Sequence, residues 1–174
     1  VVFGGHVIAD TRAKKNKTIS YDAFASVNFP ALALVQGDRL VRYVPSPWPT
    51  GPVEFGRAMN PRVFLLKLMP GTSPEVFDWI AQSGMRGLVL EAFGMGGLHY
   101  IRRNLVRALD ALAKSGVRVL VVSQCLYEKA DLGIYEVASG LEPSRVRGGA
   151  DMTTEAAVTK LMYVLGLDLP DDRT

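Results

Sequence analysis

Cysteine and histidine are the first residue types here that could perform nucleophilic or acid–base chemistry. Cys125 is the single cysteine, and it follows an apolar run typical of a β-strand. A thiol becomes a strong nucleophile when a nearby base takes its proton, and His6 and His99 are the two imidazoles that could do so. A lone cysteine is more often a small buried hydrophobic residue, which is the interpretation we favour. These residues lie far apart in the sequence and match no metal-ligand spacing, so no metal site is predicted.

A basic stretch near the start of the chain offers a second set of candidates. Lys14, Lys15 and Lys17 lie between Arg12 and Asp22. A lysine amine can relay protons when burial and neighbouring charges lower its pKa. Composition alone does not choose among the three, and an exposed basic loop is the default interpretation.

The ends of the predicted strands are the places where a ligand would bind in an open parallel sheet. Three such ends are Met69-Pro70-Gly71, Glu91 to Gly97, and Ser123-Gln124-Cys125. We expect Gly94, Gly96 and Gly97 to adopt positive φ and to let a ligand approach the backbone closely. A tight turn between a strand and a helix explains the same glycines, and their spacing does not match the dinucleotide-binding fingerprint.

The elements that must position these residues fall into three segments. Residues 1–44 contain short strand patterns, with Gly4-Gly5 as a hairpin turn and a further strand over residues 40–44. Residues 45–61 are rich in proline, which predicts a linker. Residues 62–174 alternate apolar strand patterns with helices. The predicted fold class is α/β: the tail of an amino-terminal α/β domain, the linker, and a smaller parallel-sheet βαβ domain covered on both faces.

In the third segment, strands are predicted over residues 63–66, 88–90 and 117–122. A first helix begins with Ser73 as the N-cap and ends at Gly84. A second helix is predicted with Ile101, Leu105, Leu109 and Leu112 on its buried face. A last helix is predicted to start near Thr153, with Ala157, Leu161 and Leu165 on its buried face.

Composition limits the class of protein and its partners. The 174 residues are 48% hydrophobic and 21% charged, with a net charge of +3, so a sizeable core is expected. No apolar run approaches the ~20 residues of a membrane helix, so no membrane partner is predicted. The single cysteine cannot form an internal disulfide, which favours the reducing cytoplasm. The basic clusters Arg12–Lys17 and Arg102, Arg103 and Arg107 lack a docking motif and aromatic neighbours, so nucleic-acid binding is not favoured.

Four stretches carry a resemblance to a known family. They are Arg12 to Lys15 followed by Tyr21-Asp22-Ala23-Phe24-Ala25-Ser26-Val27-Asn28-Phe29-Pro30; Gly87 to Gly96; Ser123-Gln124-Cys125; and Gly148-Gly149-Ala150-Asp151-Met152-Thr153-Thr154-Glu155-Ala156-Ala157. Together, in this order and spacing, they resemble the L-asparaginase family, particularly its cytoplasmic type I enzymes and their archaeal relatives.

The resemblance implies hydrolysis of L-asparagine to L-aspartate and ammonia through a threonine acyl-enzyme, with no cofactor or metal. Lys15 matches the lysine of the family's proton relay. The family's two threonine motifs, Thr-Gly-Gly-Thr and Gly-Thr-Asp-Thr, do not occur in these 174 residues. We therefore expect this chain to be the carboxyl-terminal portion of the enzyme and to be inactive alone. A missing amino-terminal portion or a second chain would supply the threonines, in a homodimer or tetramer.

The family also assigns roles to the predicted strand ends. Its glycine turn reaches the substrate of a neighbouring protomer, which implies Gly94, Gly96 and Gly97, although Gly97 stands where type I enzymes often carry asparagine. An effector-binding region matches Glu91, Ser123, Gln124 and Cys125, with Glu91 in place of an arginine. Two alternatives are the asparaginase-like subunit of a tRNA-dependent amidotransferase and a non-catalytic interaction domain of the same fold.

Overall fold

The structure is a computed structural model, and it describes residues 1–45, 50–52, 54–98, 104–131 and 145–167. The chain divides into two compact units, Val1–Arg57 and Ala58–Thr174. In the described ranges, no helix is both long enough and apolar enough to cross a lipid bilayer.

The first unit is built from short antiparallel strands. They are β1 (Val2–Phe3), β2 (His6–Val7), β3 (Ala13–Lys15), β4 (Phe24–Ser26), β5 (Ala33–Gln36) and β6 (Arg39–Arg42). One sheet has the order β1-β2-β5-β6, and β3 pairs with β4 as a separate hairpin. Gly4 and Gly5 have φ of 55° and 80°, so the predicted turn between β1 and β2 is confirmed.

Two features of this unit differ from the expectations. The basic stretch is not only a loop, because Lys14 and Lys15 lie on β3 in register with Ala25 and Phe24. β5 was not predicted at all. It pairs with β6 across a turn that contains Gly37 at φ 58°.

Among its described residues, the second unit contains a four-stranded parallel sheet. Its strands are β7 (Val63–Lys67), β8 (Gly87–Ala92), β9 (Arg118–Ser123) and β10 (Val146–Gly148), in the order β10-β9-β8-β7. The three predicted strands are confirmed. β10 was missed because its three residues, Val-Arg-Gly, carry no apolar run.

Helices cover both faces of this sheet. α1 (Glu75–Gln82) and α2 (Leu105–Lys114) bury one face, and α3 (Thr154–Gly166) buries the other. The predicted α/β class is therefore confirmed. The predicted buried faces match at Leu105, Leu109 and Leu112 and at Ala157, Leu161 and Leu165, whereas Ile101 lies outside the described residues.

The helix ends are set by local side chains. The Asn104 side chain accepts a hydrogen bond from Arg107 N at the start of α2, and Thr153 accepts one from Ala156 N at the start of α3. The prediction that Ser73 caps α1 was wrong. Pro74 already has helical φ and ψ and occupies the N-cap position, so no side chain caps this helix. Gly84, with φ 75°, ends it as predicted.

The segment between the two units is described in part. Pro45 and Pro52 belong to the described residues, whereas Pro47 and Pro49 lie outside them, so the linker over residues 45–61 stays a prediction. Within the second unit, Asn60 N donates to Met162 O, and a Cβ at Gly166 would lie 2.5 Å from the Ala58 carbonyl carbon. Residues 58–60 therefore pack directly on α3.

The two edges of the parallel sheet differ in character. β10 is three residues long, and Arg147 is exposed in its middle. β7 is five residues long and exposes the large apolar side chains Phe64 and Leu65. Short, charged edges resist pairing with other strands, so β10 is the better protected edge.

Candidate functional site

A glycine turn, held together by backbone hydrogen bonds, follows β8 at the carboxyl edge of the sheet. The N–H groups of Gly96 and Gly97 both donate to the carbonyl oxygen of Phe93, at 2.9 and 2.7 Å, and Phe93 N donates back to Gly97 O. Gly94 and Gly96 have φ of 49° and 116°, as expected for glycines in a turn. The expectation of a positive φ at Gly97 was wrong, because this residue forms an extended bridge with Phe93.

The turn is open on its outer side. A Cβ built on Gly94 would meet no atom within 4 Å, and Met95 is exposed. The backbone at Gly94 therefore has space beside it, and the approach of a ligand to the glycines stays a prediction.

The residues after β9 bind to this turn and to the neighbouring strand ends. Ser123 Oγ donates to Gly94 O at 2.5 Å and accepts from Cys125 N at 2.9 Å. Gln124 Nε2 donates to Leu68 O at 2.6 Å and to Glu91 O at 3.0 Å. Ser123 and Gln124 thus connect the ends of β7, β8 and β9 through their side chains.

Glu91 connects the sheet to α3. Its carboxylate accepts a hydrogen bond from Thr154 Oγ1 at 2.5 Å, and its other oxygen lies 3.6 Å from Lys67 Nζ. The Glu91 side chain is mostly buried, whereas Lys67 is about half exposed. Both oxygens of the carboxylate therefore have intramolecular partners.

Thr154 and Lys67 were missed as site residues. Thr154 was recognised as part of a helix start, but its contact with Glu91 joins residues 63 positions apart. The signal that could have found it is topological, because a helix that begins beside the carboxyl edge of a parallel sheet places its first side chains near the strand ends.

Two backbone hydrogen bonds hold the outer loops of this edge. Asp131 N donates to Met95 O at 2.8 Å, and Ala130 N donates to Ala150 O at 2.9 Å. The loop after β9 therefore contacts both the glycine turn and the turn that precedes α3.

Cys125 is an exposed free thiol, so the interpretation of it as a buried hydrophobic residue was wrong. Of the two histidines, His6 has Nδ1 3.1 Å from Gly4 O, and His99 lies outside the described residues. Across the described ranges, no group of three or more His, Cys, Asp or Glu residues could hold a metal ion.

The three candidate lysines of the first unit have different surroundings. Lys17 Nζ forms an ion pair with Asp22, and the N–H groups of Asn16 and Lys17 donate to Ala23 O. The hydrogen bond from Lys17, together with its charge, holds the pKa of Asp22 below the ordinary value. Lys15 is exposed on β3, and strand alternation puts Lys14 on the opposite face.

The structure therefore brings together Glu91, Gly94, Ser123 and Gln124 at one edge of the second unit, whereas Lys15 lies in the first unit. A parallel sheet covered on both faces, with its polar side chains and glycine turn at the carboxyl edge, defines an open α/β domain, and in such domains ligands bind at this edge.

Comparison with known proteins gives the family. A sequence profile of the Glutaminase/Asparaginase C-terminal domain matches residues 62–173, and the chain belongs to this family. The resemblance inferred from the sequence motifs is confirmed.

Individual relatives extend the similarity to nearly the whole chain. The chain is 38% identical over 167 residues to an L-asparaginase of Thermococcus kodakarensis, covering 95% of this chain and 50% of that protein. It is 33% identical over 168 residues to one of the subunits of the glutamyl-tRNA(Gln) amidotransferase of Methanopyrus kandleri, covering 92% of this chain and 36% of that protein. The chain thus spans about half, or about a third, of the length of these relatives.

Solved structures agree with these matches. The thermostable L-asparaginase of Thermococcus kodakarensis superposes with a TM-score of 0.87 at 35% identity, covering 94% of this chain and 49% of that one. L-asparaginase I of Vibrio cholerae superposes with a TM-score of 0.83 at 26% identity, covering 98% and 51%.

Proposed function

We propose that this chain forms part of an amidohydrolase that converts L-asparagine to L-aspartate and ammonia. The observation that carries the proposal is the 38% identity to an L-asparaginase over 95% of the chain, because it includes both the Lys15 segment and the glycine turn. In this proposal the nucleophilic threonine lies in polypeptide outside these 174 residues.

Lys15 is the catalytic residue that the chain would contribute. A threonine hydroxyl is a weak nucleophile until a nearby base takes its proton. The amine of Lys15 would accept that proton as the hydroxyl attacks the side-chain amide of asparagine, and would pass it to the departing amide nitrogen. Ammonia then leaves, the acyl group remains on the threonine as an ester, and water hydrolyses the ester to release aspartate.

The surroundings of the three lysines support this choice. The ammonium group of Lys17 is held in an ion pair with Asp22, so this side chain is already engaged within the first unit. Lys14 lies on the opposite face of β3 from Lys15, which makes it a matched control.

The glycine turn after β8 would serve a second copy of the chain. The open outer side of Gly94 and the exposure of Met95 support a role in which this turn closes a neighbouring active site. The proposal therefore includes a homodimer or a tetramer. It also places the protein in the cytoplasm, where a reducing environment would keep the exposed Cys125 thiol free.

The test is a fusion of this chain to the part of the Thermococcus kodakarensis L-asparaginase that it does not match. We expect the fusion to release ammonia from asparagine, with no loss of activity after dialysis against EDTA. Lys15→Ala should lower kcat by about 10²- to 10⁴-fold, the usual contribution of a general base. Lys14→Ala should stay within about twofold of the unsubstituted fusion, because a side chain on the other face of the strand does not share the site.

Equal activity of the Lys15→Ala and unsubstituted fusions would contradict the catalytic role and favour a structural role for Lys15. The unfused 174-residue chain, highly purified, should release no ammonia. Ammonia release by that chain would contradict the external threonine.

A second candidate is the asparaginase-like subunit of a tRNA-dependent amidotransferase. The 33% identity to the amidotransferase protein from Methanopyrus kandleri supports this candidate. Such a protein supplies ammonia to a partner enzyme, whereas an asparaginase works alone. Ammonia release by the fusion that appears only with the partner enzyme and charged tRNA would favour this candidate.

A further inference from the structure

The hydroxyl group of Ser123 lies between two backbone segments at the edge of the sheet. It donates to the Gly94 carbonyl at 2.5 Å and accepts from the Cys125 N–H at 2.9 Å. Gly94 and Ser123 are 29 positions apart, so this contact joins the turn after β8 to the end of β9.

A serine hydroxyl has one hydrogen to donate. In Ser123 that hydrogen is used by Gly94 O, and one lone pair is used by Cys125 N. The hydroxyl therefore has no hydrogen left to donate, and its two hydrogen bonds suit the placement of the turn.

The conformation of Gly94 explains why the turn needs such a contact. Gly94 has φ 49°, and glycine loses more conformational freedom on ordering than any other residue. No atom lies within 4 Å of its Cβ direction, so packing does not restrict this residue from the outer side. Hydrogen bonds from Ser123 to Gly94 O and from Asp131 N to Met95 O hold the outer part of the turn.

We propose that Ser123 is a positioning residue that fixes the Gly94–Gly97 turn in the conformation that meets substrate. The part of this inference that concerns substrate rests on the proposed function. Its structural content can be tested without any activity.

The first test uses the 174-residue chain and measures amide hydrogen exchange at Gly96 and Gly97, whose N–H groups close the turn on Phe93. Ser123→Ala should raise these two exchange rates about tenfold, because local opening becomes easier when a hydrogen bond is lost. Ser123→Thr keeps the hydroxyl and should restore the original rates. Amides of the central strand, such as those of Val89 and Leu90, should stay within about twofold.

The matched control is Ser115→Ala. The Ser115 hydroxyl also donates to a backbone carbonyl, that of Leu112, but at the end of α2. Ser115→Ala should leave the amide exchange rates of Gly96 and Gly97 unchanged. Equal exchange in Ser123→Ala and the unsubstituted chain, or an equal effect of Ser115→Ala, would overturn the proposal.

The second test uses the fusion to the Thermococcus kodakarensis segment. Ser123→Ala should raise KM for asparagine about fivefold, the effect of one hydrogen bond, with kcat within about twofold. Ser123→Thr should restore KM. An unchanged KM in an active fusion would overturn the role in substrate binding. If the fusion is inactive, the proposed function fails, and the exchange measurement still decides whether Ser123 positions the turn.

Discussion

The two units of the chain differ in how their sheets are buried. In the second unit, the central strand β8 has Leu88, Val89 and Leu90 fully buried between helices on both faces. In the first unit, all four residues of β6 are exposed, and Leu40 is 51% accessible. The second unit therefore has a hydrophobic core that accounts for its stability, whereas the candidate catalytic lysine lies in the unit with less buried apolar surface.

The largest expected effect is on the free energy of unfolding, when one leucine in each unit is replaced by alanine. Leu90→Ala removes a side chain with no solvent exposure and should lower the free energy of unfolding by ~2–5 kcal/mol. Leu40→Ala removes a half-exposed side chain from β6 and should change it by no more than ~0.5 kcal/mol. Urea unfolding of the two variants measures the difference. Similar losses in both would mean that β6 is covered in solution and that the contrast is wrong.

A smaller loss of stability is expected when alanine replaces a tightly packed glycine. No loss is expected at a glycine that has space around it. The Cβ of Gly166→Ala would lie 2.5 Å from the Ala58 carbonyl carbon and 2.7 Å from Met59 N. Backbone atoms cannot move aside as flexible side chains do, so a loss of ~1–3 kcal/mol is expected. Gly51→Ala, in the first unit, meets no atom within 4 Å and should be neutral in the same denaturation measurement. A stable Gly166→Ala variant would show that residues 58–60 do not pack on α3 as described.

The smallest effect concerns the ion pair of the first unit. Lys17 lowers the pKa of Asp22 in the folded chain, so this carboxylate stabilises the fold above its unfolded pKa of about 3.9. The contribution is lost as pH falls through the lower folded pKa. Lys17→Met should raise the pKa of Asp22 toward its ordinary value, as followed by NMR titration. Lys14→Met is the control, and an unmoved Asp22 titration in Lys17→Met would show that the pair does not form.

Much of the second unit could be predicted from its sequence. The apolar runs of β8 and β9 and the spacing of Leu105, Leu109 and Leu112 reflect burial that the structure confirms, whereas the apolar run of β7 forms a strand with Phe64 and Leu65 exposed. β10 escaped prediction because it is held by pairing with β9 rather than by its own apolar content. The predicted Ser73 cap of α1 was wrong because the fixed φ of Pro74 lets the helix begin without a side-chain cap.

The first unit and the site were harder to predict. β5 was missed because Val35 and Gln36 are both exposed, so the alternation that marks a half-buried strand is weak. The glycine turn could be anticipated, but the contacts of Ser123 with Gly94 and of Thr154 with Glu91 join residues 29 and 63 positions apart. Such pairs follow from the order of strands in the sheet, which local sequence does not encode.

The unequal edges of the parallel sheet have a consequence for the behaviour of the chain at high concentration. Among the described strands, β7 has a neighbour on one side only, and its central Phe-Leu-Leu carries no charge. An apolar border of this kind is where amyloid-like growth and precipitation tend to start, since it can recruit any extended peptide through main-chain pairing. Among the described strands, the opposite border is shorter and exposes Arg147, so we expect such growth to start at β7 rather than at β10.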